Sequence, residues 1–383
     1  MTDTLESELS VDDCETPRES FELTSAPRYE GLDALRAGAM LLGLAYHATY
    51  AYVPDVGPWY PVADPSPSAF FSTLAGVLHA FRMHVFFAIA GFFSHLVIER
   101  RGPKGFLADR ARRLLGPFAV AVPITWGADV AARVLSHRAG LMDEAYSFGT
   151  APRWIPLHLW FLQYLFLFCA VAAALSWAQV RLPTQALRRV LAYPETLVLL
   201  AVPTGALLAV FGEPRPDASF VPEAGTFAVM GLFYGFGYLL WAARDAVGVL
   251  AQRGPWMALG GLCVAFWLYT RPLQWEPLGR ALSGAIAWLV TLGALGAAFR
   301  VMTKGGAQRH PLLRTLVDAS YWVYLVHYPL VQVLQVVVAG LPVWTGIKYL
   351  LVVVGAFSVA LVTYFLVVRD TWLMPYLGRR PNG

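Results

Sequence analysis

The sequence predicts an all-α fold, a polytopic membrane helix bundle of about ten transmembrane helices with both termini cytoplasmic. Three observations predict it. The 383 residues are 57% hydrophobic and only 14% charged, well below the charge content of a soluble domain. The apolar residues arrive in long unbroken blocks without a period of two, which selects helices over a barrel. Arginine and lysine collect on alternate loops, which orients the spans.

Residues 1–28 are polar and acidic, with Asp3, Glu6, Glu8, Asp12 and Asp13 among their carboxylates. They read as a disordered cytoplasmic tail rather than a signal peptide. Residues 29–375 form the membrane-embedded unit, and 376–383 a short basic tail. Ten apolar segments lie near 32–53, 70–98, 114–135, 156–178, 194–211, 223–243, 255–270, 279–299, 315–338 and 345–368. The segments 194–211 and 255–270 are short for a full span, so eight spans stay open if these two are re-entrant. With the N-terminus inside, the inward loops carry most of the cations. Examples are Arg100, Arg101, Lys104, Arg110, Arg112 and Arg113 after the second span, and Arg300, Lys304, Arg309 and Arg314 after the eighth. The outward loops hold only Arg138, Arg153, Arg215 and Arg271. Of the outward loops, Val53–Ser68, with Trp59 and Tyr60, suits an interfacial, ligand-facing loop, and His137–Trp154, with Asp143, Glu144, Tyr146 and Trp154, is the longest. Neither is long enough for a soluble catalytic domain, so any chemistry belongs to the bundle. Cys14, Cys169 and Cys263 are scattered and odd in number, which supports neither a disulfide framework nor a metal site.

The first span, GLDALRAGAMLLGLAYHATYAY, carries Arg36 at its head and His47 inside it, with ten residues between them. Eleven helical steps are about three turns, so both side chains share a face roughly 16 Å apart along the axis. Measured from the arginine, His47 is expected near mid-membrane, where an ionisable group must face a bundle interior or a watery cavity. The second span holds His79, Arg82 and His84 in LHAFRMHVFF. His79 and Arg82 share a face, and His84 points more nearly the other way. A structural reading of Arg82 pairs it with an acid or with helix-end carbonyls.

On the following loop, FLADRARRLLGPF places Arg110 and Arg113 three residues apart, so both can reach one ligand. Arginine binds phosphate through a planar fork, although the positive-inside bias alone would also place cations here. The fourth span opens with His158 in PLHLWFLQYL, at the outer boundary, where a solvated structural role and an acceptor contact are both open. The ninth, DASYWVYLVHYP, puts Ser320, Tyr324 and His327 on one face. His47, His79, Arg82 and His327 thus come from three spans of alternating direction and are expected at similar depth, which points to a buried polar site without naming a reaction.

Arg36 and His47 at this spacing, the Arg110/Arg113 pair and SYWVYLVHYP together resemble the acyltransferase family 3 integral membrane proteins. HAFRMHVFFAIAGFF, ERRGPKGFLADRARRLLGPF and HLWFLQYL are similar to the branch that succinylates periplasmic glucans. The likeness spans about residues 30–375. One departure is His84, where that branch usually carries proline. The resemblance implies a membrane O-acyltransferase of the plasma (inner) membrane. It would move an acyl group, succinyl or acetyl, from cytoplasmic acyl-coenzyme A to a hydroxyl of an extracytoplasmic glycan or lipid. No permanently bound cofactor or metal and no nucleic acid is expected; the partners are acyl-coenzyme A, the acceptor and the bilayer. In this reading His47 is the catalytic base, with Arg36 beside the route. Arg110, Arg113 and Arg36 bind the donor phosphates, and His79, Arg82, His158, Tyr324 and His327 form the acceptor or oxyanion site. Asp33 and Ser320 support them. The alternative is a proton-coupled transporter or exporter of an anionic or glycan substrate, in which the same groups form a relay; the inverted repeats common in such proteins are not evident. A structural scaffold leaves the mid-span histidines unexplained.

Overall fold

The computed structural model describes residues 29–54, 56–57, 59–142, 155–212, 219–271, 276–303 and 311–377. The acidic stretch 1–28, the loop residues Asp143, Glu144, Tyr146 and Trp154, and residues 378–383 of the basic tail lie outside them. The described residues form eleven α-helices and no strand. These are α1 (Glu30–Thr49), α2 (Ala69–Arg138), α3 (Trp160–Trp177), α4 (Thr184–Leu191), α5 (Ala201–Phe211), α6 (Ala224–Ala242), α7 (Gly248–Thr270), α8 (Glu276–Thr303), α9 (Pro311–Ala339), α10 (Thr345–Thr363) and α11 (Met374–Leu377). The protein is a helical membrane bundle.

Each of the ten apolar segments read from the sequence falls on helix. Among the described residues six helices are long and apolar enough to cross a membrane: α2, α3 with its preceding turn, α6, α8, α9, and α10 with the π-helical turn Tyr364–Val368. Two expected spans merge in α2, 70 residues long, which is broken at Gly102 (φ 69°, ψ 164°). A positive φ suits glycine, and Pro103 next to it suits the first turn of the second arm, where its missing N–H costs nothing. α1 is long enough but less apolar than these six, because Asp33, Arg36 and His47 lie in it. The short segment 194–211 is a 3₁₀ stretch, Pro194–Leu200, running into α5.

α1 stands at the centre, packed against α2, α8, α9 and α10. Close approach elsewhere depends on small residues, as expected where helices pack in lipid. Gly237 of α6 lies against the backbone of Ala88 in α2, and Gly91 of α2 against that of Tyr234 in α6, with no room for a side chain at either. Large apolar side chains such as Leu350, Leu351, Val354 and Leu366 remain exposed along α10 and its extension, as a lipid-facing rim requires.

The loop after α1 is tied down by buried polar groups. Lys348 Nζ lies 2.9 Å from Asp64 Oδ2 and donates to the Ala339 carbonyl at 2.7 Å. Arg133 pairs with Asp129 at 2.9 Å and donates to the Trp59 carbonyl at 2.9 Å, while Gln332 donates to Asp129 at 2.7 Å. Tyr60 donates to Gln335 at 2.6 Å. Charges this deep are tolerable only when paired and hydrogen-bonded, and together they hold the loop against α2, α9 and α10.

Candidate active site

Four helices each bring a stripe of residues at helical spacing to one internal space. α1 contributes Arg36, Met40, Gly43 and His47; α2 contributes Arg82, Phe86, Ala90, Phe93, Val97 and Arg100; α3 contributes Phe161, Leu165 and Cys169; α9 supplies Ser320, Tyr324 and His327. The repeat of three or four residues is what keeps such a stripe on one helical face.

The space has two compartments. The wider is a cavity of about 400 Å³ whose lining includes Arg36, Arg100, Arg110, Arg113, Asp318 and Tyr321, within the size range of ordinary ligand sites. Arg100, at its rim, is exposed. Arg36 is held by Asp33 at 3.5 Å. Arg113 lies 3.2 Å from Asp109, and its carbonyl accepts from Tyr321 at 2.8 Å. Burial lowers the pKa of the Arg113 guanidinium, and the Asp109 carboxylate acts against that shift. Arg110 lies over the ring of Phe106 at 5.3 Å. Four guanidinium groups against so few acids make the cavity electropositive, fit for a multiply charged anion. Ser320 lines the same cavity, with its hydroxyl donated to the Val317 carbonyl of its own helix.

The narrower compartment, about 30 Å³, is lined by Gly43, His47, Arg82, His158, Tyr324 and His327 among others. It adjoins the first, since Met40, Phe86 and Phe161 line both. The ring centroids of His47 and His327 are 5.3 Å apart, those of His158 and His327 5.0 Å, and those of His47 and His158 6.2 Å. His327 Nδ1 donates to the Tyr324 carbonyl at 2.7 Å, which leaves Nε2 as the acceptor nitrogen; that nitrogen has no partner among the described residues. His47 Nδ1 and both ring nitrogens of His158 are likewise buried without partners. The chain reaches His158 through Leu157, whose φ of 48° is unfavourable for a leucine. Tyr324 then holds the His158 carbonyl at 2.8 Å. Strain and a tether on the backbone beside an unsatisfied imidazole mark a position kept for something other than packing.

Arg82 takes neither partner that a structural reading offers. Among the described residues no carboxylate pairs with it and its Nε has no acceptor. Its guanidinium lies over the Tyr46 ring at 4.5 Å.

His47 itself lies in the last turn of α1, which gives way at Tyr50 to a 3₁₀ turn. Two expectations change. His79 does not line the small compartment: it is exposed and stacks on Tyr46 at 5.4 Å, the ring that Arg82 also covers. The Tyr324 hydroxyl, expected to face a substrate, is committed to the His158 backbone. His84 turns to α6 and packs on Phe233 at 4.6 Å. Sequence reasoning missed the neck of Met40, Phe86 and Phe161 and the Asp129–Arg133 pair. The neck had no signal within apolar spans, whereas the pair was readable as opposite charges four residues apart in the third span.

The structure is thus a helical membrane bundle with an arginine-rich cavity leading to a buried imidazole cluster. The family model described as an acyltransferase domain, acyltransferase family 3, matches residues 29–368. The chain belongs to that family and is a membrane acyltransferase. It is similar to the glucans biosynthesis protein C of Salmonella heidelberg and of Salmonella typhi, each 26% identical over 325 residues that cover 80% of this chain and 83% of the relative. The protein of the same name from Salmonella paratyphi B is 31% identical over 164 residues, 42% of either chain. No solved structure matches the chain significantly.

Proposed function

We propose that this acyltransferase moves a succinyl or acetyl group from cytoplasmic acyl-coenzyme A to a hydroxyl of an extracytoplasmic glycan or lipid, within the plasma (inner) membrane. The observation that carries the reading is the union of the two compartments along α1, with Arg36 lining the wide one and His47 the narrow one. Coenzyme A is a long molecule with phosphates at one end and a thioester at the other, joined by a thin arm. Arg110, Arg113, Arg36 and Arg100 take the phosphates, and the arm runs past Met40 so that the thioester reaches the histidines. The cationic end faces the cytoplasm by the positive-inside bias.

His47 takes the proton of the acceptor hydroxyl as general base. The hydroxyl oxygen bonds to the acyl carbon, the carbon–sulfur bond breaks, and the proton passes from the imidazole to the departing thiolate. Arg82, unpaired and next to His327, stabilises the oxyanion of the tetrahedral intermediate. His327 and His158 complete the polar wall, and His79 and Tyr46 lie on the acceptor side. The acceptor enters from the end where Tyr50 stacks edge-on against both His47 (5.2 Å) and the exposed Trp59 (4.9 Å). A path lined with aromatic rings suits sugar faces, and the named role of the relatives in glucan biosynthesis supports a glucan acceptor.

The test is purified protein in detergent with acetyl- or succinyl-coenzyme A and a β-linked glucose oligosaccharide. Free thiol should appear together with an acylated sugar. Thiol release that is absent with both donors, with uptake of either substrate into vesicles instead, would replace this reading with transport.

A further inference from the structure

We infer that Met40, Phe86 and Phe161 form a steric ruler that confines the transferred acyl group to a few carbons. The inference rests on the acyl-coenzyme A reading above and adds the residues that limit the size of the acyl group.

The three side chains come from three different helices and are the residues common to both compartments. On one side is a cavity of about 400 Å³, on the other about 30 Å³. A cavity needs on the order of 10–15 Å³ to hold one water, so the inner compartment has room for about two groups of that size. For a thioester carbonyl to reach His47, whatever the acyl carbon carries must lie at or beyond this neck.

The walls around it are set by aromatic packing. The rings of Phe86 and Phe161 meet edge-to-face with centroids 4.4 Å apart. Phe161 is backed by Phe87 at 5.2 Å and by Tyr324 at 5.7 Å, and Phe87 is fully buried. Interiors packed in this way do not open for an added methylene without displacing neighbours. Beyond the neck, His158, Trp160 and Tyr324 line the compartment. Met40 is the adjustable member, since an unbranched thioether side chain has three rotatable bonds. It stands one turn beyond Arg36 and about two turns before His47 on the same face of α1, beside the path of the pantetheine arm. A long acyl chain would have to push Phe161 into Phe87 and Tyr324, or lift Met40 out of the bundle.

The experiment compares acetyl-, butanoyl-, hexanoyl- and octanoyl-coenzyme A as donors for the full-length protein in detergent, with a β-linked glucose oligosaccharide as acceptor and ester formation read by mass spectrometry. Octanoyl transfer should be at least about 100-fold slower than acetyl transfer, since overfilling a packed pocket costs tenfold or more per step. Met40→Ala and Phe161→Ala, on separate helices, should each raise the octanoyl-to-acetyl ratio by about tenfold. Reading the ratio within each variant removes any general loss of activity. A wild-type profile flat across the four donors overturns the ruler, as does a ratio unmoved in both variants. No ester from any donor removes the donor reading itself and the ruler with it, a pattern distinct from a flat profile.

Discussion

A β-carbon at Gly43 would lie 2.8 Å from Arg82 Nη1 and 4.0 Å from His327 Nε2. The bare face of α1 at this point is what admits a guanidinium and an imidazole to the same small space. Gly43 is helical and has no need of a positive φ, so its role is room rather than backbone freedom. Gly43→Ala should therefore leave the helix intact, or slightly favour it, while displacing Arg82. A shift of about 1 Å at a reacting centre costs on the order of 100-fold. Steady-state transfer should fall by about that factor with thermal stability in detergent close to wild type; full activity would show that Arg82 has slack.

His47 is the imidazole on α1 whose Nδ1 has no partner among the described residues and whose ring lies beside those of His158, His327, Tyr50 and Tyr328. If it removes the acceptor proton, His47→Gln should lower transfer by about 10²–10⁴-fold and leave coenzyme A affinity within a factor of two or so, because the arginine-rich cavity lies toward the other end of α1. Calorimetry for binding and single-turnover ester formation for chemistry separate the two. A variant that loses both together would make His47 a packing residue.

How much of this is legible from the residues alone depends on contrast. Arg36 and His47 stand out because charge and imidazole are costly in an apolar span, and their spacing places them on one face without any structure. The same contrast exposes Arg110, Arg113 and His327. It fails for Met40, Phe86 and Phe161, because a lipid-facing and a cavity-facing apolar side chain look alike when both surroundings are apolar. Spacing also gives the separation of Arg36 from His47 but not where α1 ends, just beyond His47 at Thr49. Helical spacing groups His79 with Arg82, and both do meet the Tyr46 ring, but spacing does not show that only Arg82 reaches the small compartment. The breaking of α2 at Gly102-Pro103 is readable from the dipeptide itself.

The arginines of the wide cavity yield a prediction that separates binding from topology. Arg110→Ala and Arg113→Ala should each raise the donor KM by roughly 10- to 100-fold, the loss of one charge-assisted contact to phosphate, with kcat changed far less. Arg112, which also meets Asp109 but faces outward and is exposed, serves as the control: Arg112→Ala should move the donor KM little. Increasing salt should raise the wild-type KM more steeply than that of either cavity variant. Equal KM values for the three variants would reduce Arg110 and Arg113 to orientation signals.

Asp129 and Arg133 face each other with side chains each 1% exposed; Gln332 donates to Asp129, and Arg133 donates to the Trp59 carbonyl. Removing one partner leaves a buried charge uncompensated, at a cost of about 3–5 kcal/mol, whereas removing both costs far less. Arg133→Leu and Asp129→Leu should each lower the melting temperature in detergent sharply, and the double variant should recover much of the loss. Activity should follow a different course. Arg133 also holds the backbone of Trp59, which stacks on Tyr50 beside His47, so the double variant should be stable yet poor at using the acceptor. Its acceptor KM should rise by about tenfold while the donor KM stays near wild type. A double variant that regains acceptor affinity together with stability would make the pair a stabilising contact without influence on the acceptor path.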